Sequence, residues 1–310
     1  MVDRTVGVSC GATRDQMARQ TMFIPYSVRM LKRHLFTSRD GEKIIRQRYF
    51  DLHDRELDLK CTHTFTDKLY RRMIEINRSG CPTFSRLADK YLVRDYVRDR
   101  IGSAYLVPLL WSGTDPSGIP FDHLPLKCVV KTNHGSGGAM LVERPIDRSA
   151  LIEQLRGWLG QNYYWALREY QYFNIRPRVQ LEEFLETEGD WPLDYRFWCF
   201  DGKPEVIQVD NHDHSINPFY DLNWNRLTLH YREPGPVPGP KRPDNLDEMI
   251  SLAARLSEGF DFVRVDLYSV GGKIYFGEMT FTPTAGMFRL MPEEWEIGLG
   301  EKWNYSFQPV

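Results

Sequence analysis

A stretch near the C-terminus, residues 262–283, carries charged side chains inside two β-rich runs that are joined by a glycine turn. Arg264, Asp266 and Glu278 interrupt runs of Val, Leu, Tyr, Ile and Phe. A charge on a half-buried strand is costly unless it is paired or binds a metal ion. The stretch therefore predicts a β-hairpin with a site that contains two carboxylates.

The length of the turn decides whether these carboxylates face each other. A two-residue loop, 271–272, would put Asp266 and Glu278 on opposite faces of the sheet, because side chains alternate along a strand. A three-residue loop, 271–273, with a glycine bulge puts them directly opposite, where their oxygens can share a hard cation. We predict the longer loop. The alternative interpretation is a surface hairpin with solvated charges.

The composition is typical of a soluble globular protein, with 42% hydrophobic and 26% charged residues in a chain of 310. A formal net charge of -2 gives no electrostatic reason to expect binding to nucleic acid or to an anionic membrane. No segment has the pattern of a signal peptide or of a membrane-spanning helix. Five scattered cysteines without CxxC spacing predict free thiols in a reducing cytoplasm, with neither disulfides nor a zinc site.

The middle of the chain contains a strand, a glycine loop and a second strand, at 127–132, 133–138 and 139–143. No helix and no GK[ST] ending follow the glycines, so this is not a Walker loop. Its free amides can still close over phosphates, although a plain hairpin turn is the alternative.

Hydrophobic periodicity and turn signals predict the other elements. A helix from Phe84 to about Arg100 carries Asp89, Lys90 and Arg94 on neighbouring turns. His212 and His214 lie in a short loop, and we interpret this loop as polar and not as a metal site, because two histidines at this spacing are a weak signal. The remaining predicted elements are irregular structure over 1–22, helices over 26–48, 67–77, 147–159 and 246–258, strands at 105–108 and 179–185, and a hairpin of strands 193–200 and 204–209 around Asp201-Gly202.

The order of these elements resembles that of the ATP-grasp superfamily, and within it most resembles the TupA-like ATP-grasp family found with polysaccharide and teichuronopeptide biosynthesis. The matching blocks are 87–97, 129–137, 194–204 and 262–283, and the resemblance covers about residue 60 to the end. It implies an α+β ATP-grasp fold that holds the nucleotide between a small lysine-bearing lid lobe and a C-terminal antiparallel sheet lobe. The expected domains are an N-terminal helical region with an irregular tail (1–105), the lid subdomain (106–180) and the C-terminal subdomain with the metal site (181–310).

The resemblance also implies roles for matching residues. Lys90 and Lys131 would hold the α and β phosphates, Asp266 and Glu278 would hold Mg²⁺, and arginines would steady the transferred phosphoryl group. The complete implied set is Lys90, Lys131, His134, Gly135, Ser136, Gly137, Gly138, Glu182, Glu183, Phe184, Leu185 and Asp194 for the nucleotide, Arg264 and Arg196 for catalysis, and Asp266, Glu278 and Thr280 for the metal.

In this family's chemistry a carboxylate attacks ATP to form an acylphosphate, and an amine then displaces phosphate to form an amide. The resemblance therefore implies a cytoplasmic, ATP- and Mg²⁺-dependent ligase with small-molecule carboxylate and amine substrates, such as a sugar acid or an amino acid. The alternatives are an ATP-grasp kinase and a non-catalytic nucleotide-binding protein of polysaccharide assembly. The chain departs from the pattern in two places: Thr280 stands where relatives have Asn, and the loop at 211–214 lacks an expected arginine.

Overall fold

The computed structural model describes residues 38–187, 191–211, 213–215, 217–231 and 239–307. The predicted irregular segment 1–22, much of the predicted helix 26–48, Cys10 and His212 lie outside these ranges. The described helices are α1 Ser38–His53, α2 Phe65–Ser79, α3 Pro82–Ala88, α4 Val93–Arg100, α5 Arg148–Gly160, α6 Tyr164–Leu167, α7 Leu246–Ser257 and α8 Glu293–Lys302, with 3₁₀ turns at Ser103–Tyr105, Pro116–Gly118, Phe121–His123, Tyr170–Tyr172 and Pro283–Gly286. The described strands are β1 Leu109–Gly113, β2 Lys127–Thr132, β3 Ala139–Glu143, β4 Val179–Glu183, β5 Asp194–Phe200, β6 Lys203–Asp210, β7 Phe219–Tyr220, β8 Phe262–Val270 and β9 Lys273–Thr280.

The strands form two antiparallel sheets. The smaller sheet has the order β1-β4-β2-β3 and the larger has the order β7-β6-β5-β8-β9. This mixed architecture agrees with the expected α+β class. The smaller sheet is complete only with β4, so the domain boundary expected after residue 180 falls inside that strand.

Two local predictions are corrected near the first helices. The single helix predicted from Phe84 to Arg100 is divided into α3 and α4, because the Asp89 carboxylate accepts hydrogen bonds from the backbone N–H groups of Tyr91 and Leu92. A short acidic side chain competes in this way with the helical backbone pattern. The break leaves Lys90 between the two helices. The strand predicted at 105–108 is also wrong, since Tyr105 ends a 3₁₀ turn and β1 begins at Leu109.

The larger sheet is anchored to α2 by a fully buried arginine. Arg72 donates to the backbone oxygens of Phe262 (2.8 Å) and Phe281 (3.2 Å) and forms an ion pair with Asp261. Its guanidinium also lies 4.4 Å from the centre of the Trp303 ring. A buried charge is tolerated when hydrogen bonds and a counter-ion compensate it. Both terminal nitrogens of Arg72 are bonded in this way, while its Nε has no hydrogen-bond partner among the described residues. Arg72 thereby fixes both ends of the β8–β9 hairpin to the helical layer.

The turn of the β8–β9 hairpin is shorter than predicted, but Asp266 and Glu278 face each other as predicted. Val270 pairs with Lys273, so the loop is the two residues 271–272, both glycines with positive φ. The bulge lies within β9, where Gly277 is the extra residue, and it brings Asp266 opposite Glu278. The predicted facing of the carboxylates is therefore confirmed, although the predicted loop length is wrong.

None of the helices in the described ranges combines the length and apolarity needed to cross a bilayer. The cysteines in those ranges, Cys61, Cys81, Cys128 and Cys199, are free thiols.

We expect Gly277→Ala to destabilise the protein by about 1–3 kcal/mol, the usual cost of overpacking. A Cβ atom at this position would lie 3.0 Å from the backbone oxygen of Asp266 and 3.3 Å from the Tyr268 ring. Urea unfolding of the two proteins measures the difference. Gly157→Ala is the control, because this α5 glycine has open space around its Cβ position and alanine favours a helix. Equal stability of Gly277→Ala and wild type would contradict the role given to the bulge.

Candidate active site

A cleft of about 390 Å³ lies between the two sheets, within the size range of small-molecule sites. Side chains from both sheets, from the glycine loop and from the segment after β4 line it. Those predicted from the sequence are Lys90, Lys131, Ser136, Gly137, Glu182, Glu183, Phe184, Leu185, Asp194, Arg196, Asp266 and Glu278. Those not predicted are Val107, Val129, Ala139, Trp191, Pro192, Asn211, His214, Tyr268 and Gly277.

A row of charged side chains crosses three neighbouring strands at the base of the cleft. The register aligns Arg196 of β5 with Asp266 of β8, and Asp266 with Glu278 of β9. Arg196 Nε lies 3.6 Å from Asp266 Oδ2, and its other nitrogens form ion pairs with Asp194 and Asp210. Arg196 thereby lowers the cost of burying Asp266, while the two carboxylates at the other end of the row face each other directly.

Arg264 gathers the oxygens of this row around one nitrogen. Its Nη2 lies 2.6 Å from Asp266 Oδ2, 3.2 Å from Glu278 Oε1 and 3.1 Å from Thr280 Oγ1. Its Nε makes a second bond of 2.7 Å to Asp266. The Thr280 hydroxyl in turn donates to Glu278. Three oxygen atoms therefore accept hydrogen bonds from a single guanidinium nitrogen.

The two carboxylates have different pKa values because their surroundings differ. Burial raises the pKa of Asp266 to about 6, against the attraction of Arg264 and Arg196. Burial also acts to raise the pKa of Glu278, but Lys90 and Arg264 outweigh it and lower the pKa to about 2. Both groups are therefore mainly ionised at pH 7, in the state that binds a hard cation.

Lys90 joins the glycine loop to the carboxylate pair. Its Nζ donates to the backbone oxygen of Gly135 at 2.9 Å and lies 3.3 Å from Glu278 Oε2. The base of the loop is fixed by Asn133, whose side chain bonds Asp89 and accepts from the backbone of Arg178. The break after α3 and the loop after β2 thus bring one lysine to the mouth of the cleft.

Lys131 is held by a buried glutamate on the neighbouring strand. Its Nζ lies 2.6 Å from Glu182 Oε2, and Arg94 contacts the other carboxylate oxygen at 3.1 Å. The sequence pattern did not reveal this role of Arg94, because the pairing requires α4 to pack beside β4. Glu182 consequently positions a cation at the wall of the cleft.

One end of the cleft is mainly apolar. Phe184, Leu185, Trp191 and Pro192 contribute to it, and the Phe184 and Trp191 rings meet edge to face at 5.5 Å. The backbone N–H of Glu183 is used within the fold, since it donates to the oxygen of Pro108. A flat apolar ring fits such an environment, while the opposite end is charged.

Several predicted residues do not line the cleft. His134 is buried, with its ring nitrogens near Asn133 Oδ1 and the backbone oxygen of Gln161. Gly138 closes the loop by accepting from the backbone of Thr132, and Gly135 contacts the site only through Lys90. Arg264 and Thr280 contact the cleft through their bonds to Asp266 and Glu278. The ligand roles of all these residues stay predictions.

A second buried carboxyl, Glu169, was not predicted and lies outside the cleft lining. It is 5% exposed and accepts a 2.5 Å hydrogen bond from Thr282, just beyond β9. Gln171 donates to the same Thr282 oxygen at 2.6 Å. Burial raises the pKa of Glu169 to about 7, and the charge of Glu278 acts in the same direction. Nothing in the local sequence distinguishes this glutamate from a surface residue.

Comparisons with known proteins were made for sequence and for structure. A family model described as TupA-like ATPgrasp matches residues 67–304. No curated protein matches significantly.

Similar solved structures include a D-alanine–D-alanine ligase from Bacillus anthracis complexed with ATP. It has 19% identity, 71% of this chain and 63% of that chain are covered, and the TM-score is 0.41. The ATP-grasp ligase PsnB complexed with a minimal precursor has 14% identity, 72% and 61% coverage and a TM-score of 0.39. The D-alanine–D-alanine ligase of Helicobacter pylori has 14% identity, 73% and 60% coverage and a TM-score of 0.40. The chain thus spans less than two thirds of the length of each of these three structures.

We expect Glu169→Gln to gain stability relative to wild type as the pH rises. The unfolded carboxyl loses its proton near pH 4.5, but the folded one keeps it to about pH 7. The contribution of Glu169 to the free energy of unfolding is therefore fully present below about pH 4.5 and is lost as the pH rises through 7. The glutamine amide does not titrate in this range, so the difference in unfolding free energy should grow by on the order of 3 kcal/mol across this window. Urea unfolding from pH 4.5 to 8 tests this, with the exposed Glu153→Gln as control. A difference that is constant with pH would contradict it.

Proposed function

The chain belongs to the TupA-like ATP-grasp family, and we propose from this premise that it is a ligase that uses ATP and Mg²⁺ to join a small-molecule carboxylate to an amine. In the proposed reaction the substrate carboxylate attacks the γ phosphate of ATP, the bond from that phosphorus to the bridging oxygen breaks and ADP leaves. The amine then displaces phosphate from the resulting acylphosphate to give an amide. One observation supports this above all: lysines and arginines converge with a carboxylate pair in a single cleft that also has an apolar end.

The charged end of the cleft suits phosphates. Lys90 and Lys131 stand at the mouth with Ser136 and Gly137, while Arg196 lies at the base. In phosphoryl transfer the protein mainly positions the reactants and neutralises developing charge, so such cations need no covalent role. The lysines are now paired with Glu278 and Glu182, and phosphate oxygens would compete for the same ammonium groups. We propose that strands β2 and β3 and their glycine loop act as the lid over the phosphates.

The carboxylate pair suits Mg²⁺. Within the described ranges no three His, Cys, Asp or Glu side chains form a complete metal site. Mg²⁺ commonly takes only one or two carboxylates and completes its shell with phosphate oxygens and water. Asp266 and Glu278 would supply the carboxylates, and Thr280 orients Glu278 through its hydroxyl. Bound Mg²⁺ would neutralise charge on the β and γ phosphates.

The apolar end suits adenine. Phe184, Leu185 and Trp191 form walls that can pack against a flat base, and Phe184 and Leu185 are among the residues that the resemblance assigns to the nucleotide. We propose that Asp194, Glu182 and Glu183 lie near the ribose.

The substrates are proposed from the family's association with polysaccharide and teichuronopeptide biosynthesis. A sugar acid or an amino acid would provide the carboxylate, and an amino compound would accept it. We propose that the reaction takes place in the cytoplasm, where ATP is available.

We expect the non-hydrolysable analogue AMP-PNP and Mg²⁺ together to raise the unfolding temperature by several degrees, and each alone to do less. A ligand at 100 times its dissociation constant stabilises by about 2.7 kcal/mol, because it binds only the folded state. Asp266→Asn should lose the cooperative part, since it removes a proposed Mg²⁺ ligand. The exposed Asp122→Asn is the control. No shift in wild-type protein would count against the nucleotide site.

We expect Glu278→Gln to lower turnover at least about 100-fold without unfolding the protein, because it removes charge from the proposed metal site. Turnover is measured as hydroxamate formed from ATP, Mg²⁺, hydroxylamine and a panel of amino acids and uronic acids. Glu258→Gln, an exposed position paired with Arg100, is the matched control. Normal turnover by Glu278→Gln at saturating Mg²⁺ would reject the proposed role of this carboxylate.

A further inference from the structure

The charged end of the cleft also contains a histidine that the phosphate and metal assignments do not use. His214 lines the cleft, and 41% of its side chain is exposed. Its Nδ1 lies 3.0 Å from both carboxylate oxygens of Asp210, whose side chain is only 2% exposed. Asp210 in turn pairs with Arg196, and Arg196 contacts Asp266. The ion pairs Asp210–Arg196 and Arg196–Asp266 therefore connect His214 to the proposed metal site.

The hydrogen bonds define which ring nitrogen can accept a proton. Asp210 is ion-paired to Arg196, so its carboxylate is ionised and can only accept. Nδ1 of His214 must then donate to it, which leaves the lone pair of the neutral ring on Nε2. The ring geometry directs Nε2 away from Asp210. This is the arrangement by which a buried carboxylate orients a histidine base.

The fold does not need His214 to compensate the negative charge of Asp210. Arg196 already provides a counter-ion for Asp210, and Arg196 is itself the more deeply buried partner. The backbone of His214 is in the left-handed region, with φ of 59°. It is kept there by a hydrogen bond from its N–H to the oxygen of Asn211, while Asn211 also bonds Ser215. An unfavourable backbone conformation at a cleft is a common feature of functional positions.

We propose that His214 is the base that takes the proton from the acceptor amine, and that the acceptor binds at this end of the cleft. This inference rests on the proposed ligase function. An α-amino group or an alkylamine is mostly protonated at pH 7 and cannot attack a carbonyl in that form. Nε2 removes one proton from the ammonium. The freed lone pair forms the C–N bond, the bond from carbon to the phosphate oxygen breaks, and the departing phosphate takes the electron pair of that bond together with the second proton that the nitrogen must lose to give the amide.

The charged groups around the ring fit an ammonium acceptor. Asp210 contacts Nδ1 of the His214 ring, and Asp194 and Arg196 line the cleft together with His214. Asp194 presents a partly exposed carboxylate to the cleft, and burial raises its pKa, with Glu278 acting in the same direction and Arg196 opposing. A carboxylate and a histidine base that line the same cleft are suited to bind a primary ammonium and then to deprotonate it.

The test separates the two half-reactions with His214→Asn. Asparagine keeps a nitrogen donor at the position of Nδ1 for Asp210 and tolerates a positive φ, but it cannot act as a base. A carboxylate that yields hydroxamate with wild-type protein is first found in a panel of amino acids and uronic acids. Hydroxylamine is neutral at pH 7, so its attack needs no base to release a free amine. The same carboxylate is then supplied with amino acids and amino sugars as acceptors.

We expect His214→Asn to form hydroxamate at close to the wild-type rate and to form amide with protonated amines at least about 100-fold more slowly. Amide formation should recover at about pH 10, where the amine loses its proton in solution. His214→Ala should behave alike and be rescued by free imidazole. His123→Asn, an exposed histidine of a 3₁₀ turn, is the control and should resemble wild type.

Three results would overturn the proposal. Unchanged amide formation by His214→Asn at pH 7 would show that His214 is not the base. Equal loss of hydroxamate and amide formation in a folded variant would place His214 in the first half-reaction instead. A wild-type protein that forms no hydroxamate from any carboxylate in the panel would remove the ligase proposal, and this inference with it.

Discussion

A buried carboxylate and a half-buried one cannot face each other without cations, and Arg264 meets this requirement for Asp266 and Glu278. Its guanidinium bonds Asp266 through two nitrogens and reaches Glu278 and Thr280 with one of them. The strand pairing could not hold these two carboxylates opposite each other if both were ionised and uncompensated. The same charge balance extends to Arg196 on the adjoining strand. The base of the cleft is thus stable before any ligand binds, and it is still rich in groups that a ligand can use.

The smaller sheet and the helical layer provide the opposing set of cations. Lys131 is directed by Glu182, and Lys90 by the break between α3 and α4. Lys90 contacts the glycine loop and Glu278 at the same time, so it connects the two sheets across the cleft. A ligand that attracts Lys90 would change the contacts of both. Nucleotide and metal are therefore expected to influence each other's affinity, and such coupling is necessarily reciprocal.

The sequence predicted those features that depend on local pattern. The Asp201-Gly202 hairpin and the helix predicted over 147–159 follow from short-range chemistry, and both are present, the helix with Asp147 as its N-cap. The facing of Asp266 and Glu278 was also predicted, but by a longer turn, because a bulge within a strand leaves no local signal beyond a glycine. The division of the helix at Asp89 was missed because it depends on side-chain hydrogen bonds that compete with the helix. The positions of Trp191 and His214 in the lining of the cleft were missed because they depend on which loops meet in space.

The glycine bulge in β9 determines which face each residue of that strand occupies. Ile274 and Phe276, before it, pack into the core, and so do Met279 and Phe281, after it. The core positions are therefore even-numbered on one side of Gly277 and odd-numbered on the other, so the strand keeps a continuous apolar face while Glu278 turns toward the cleft. Gly277 therefore shifts the alternation of inward and outward side chains by one residue. If Gly277 instead paired regularly with Asp266, the inner and outer faces of the strand beyond it would be exchanged, so the core and the candidate site both depend on this residue being left out of the pairing.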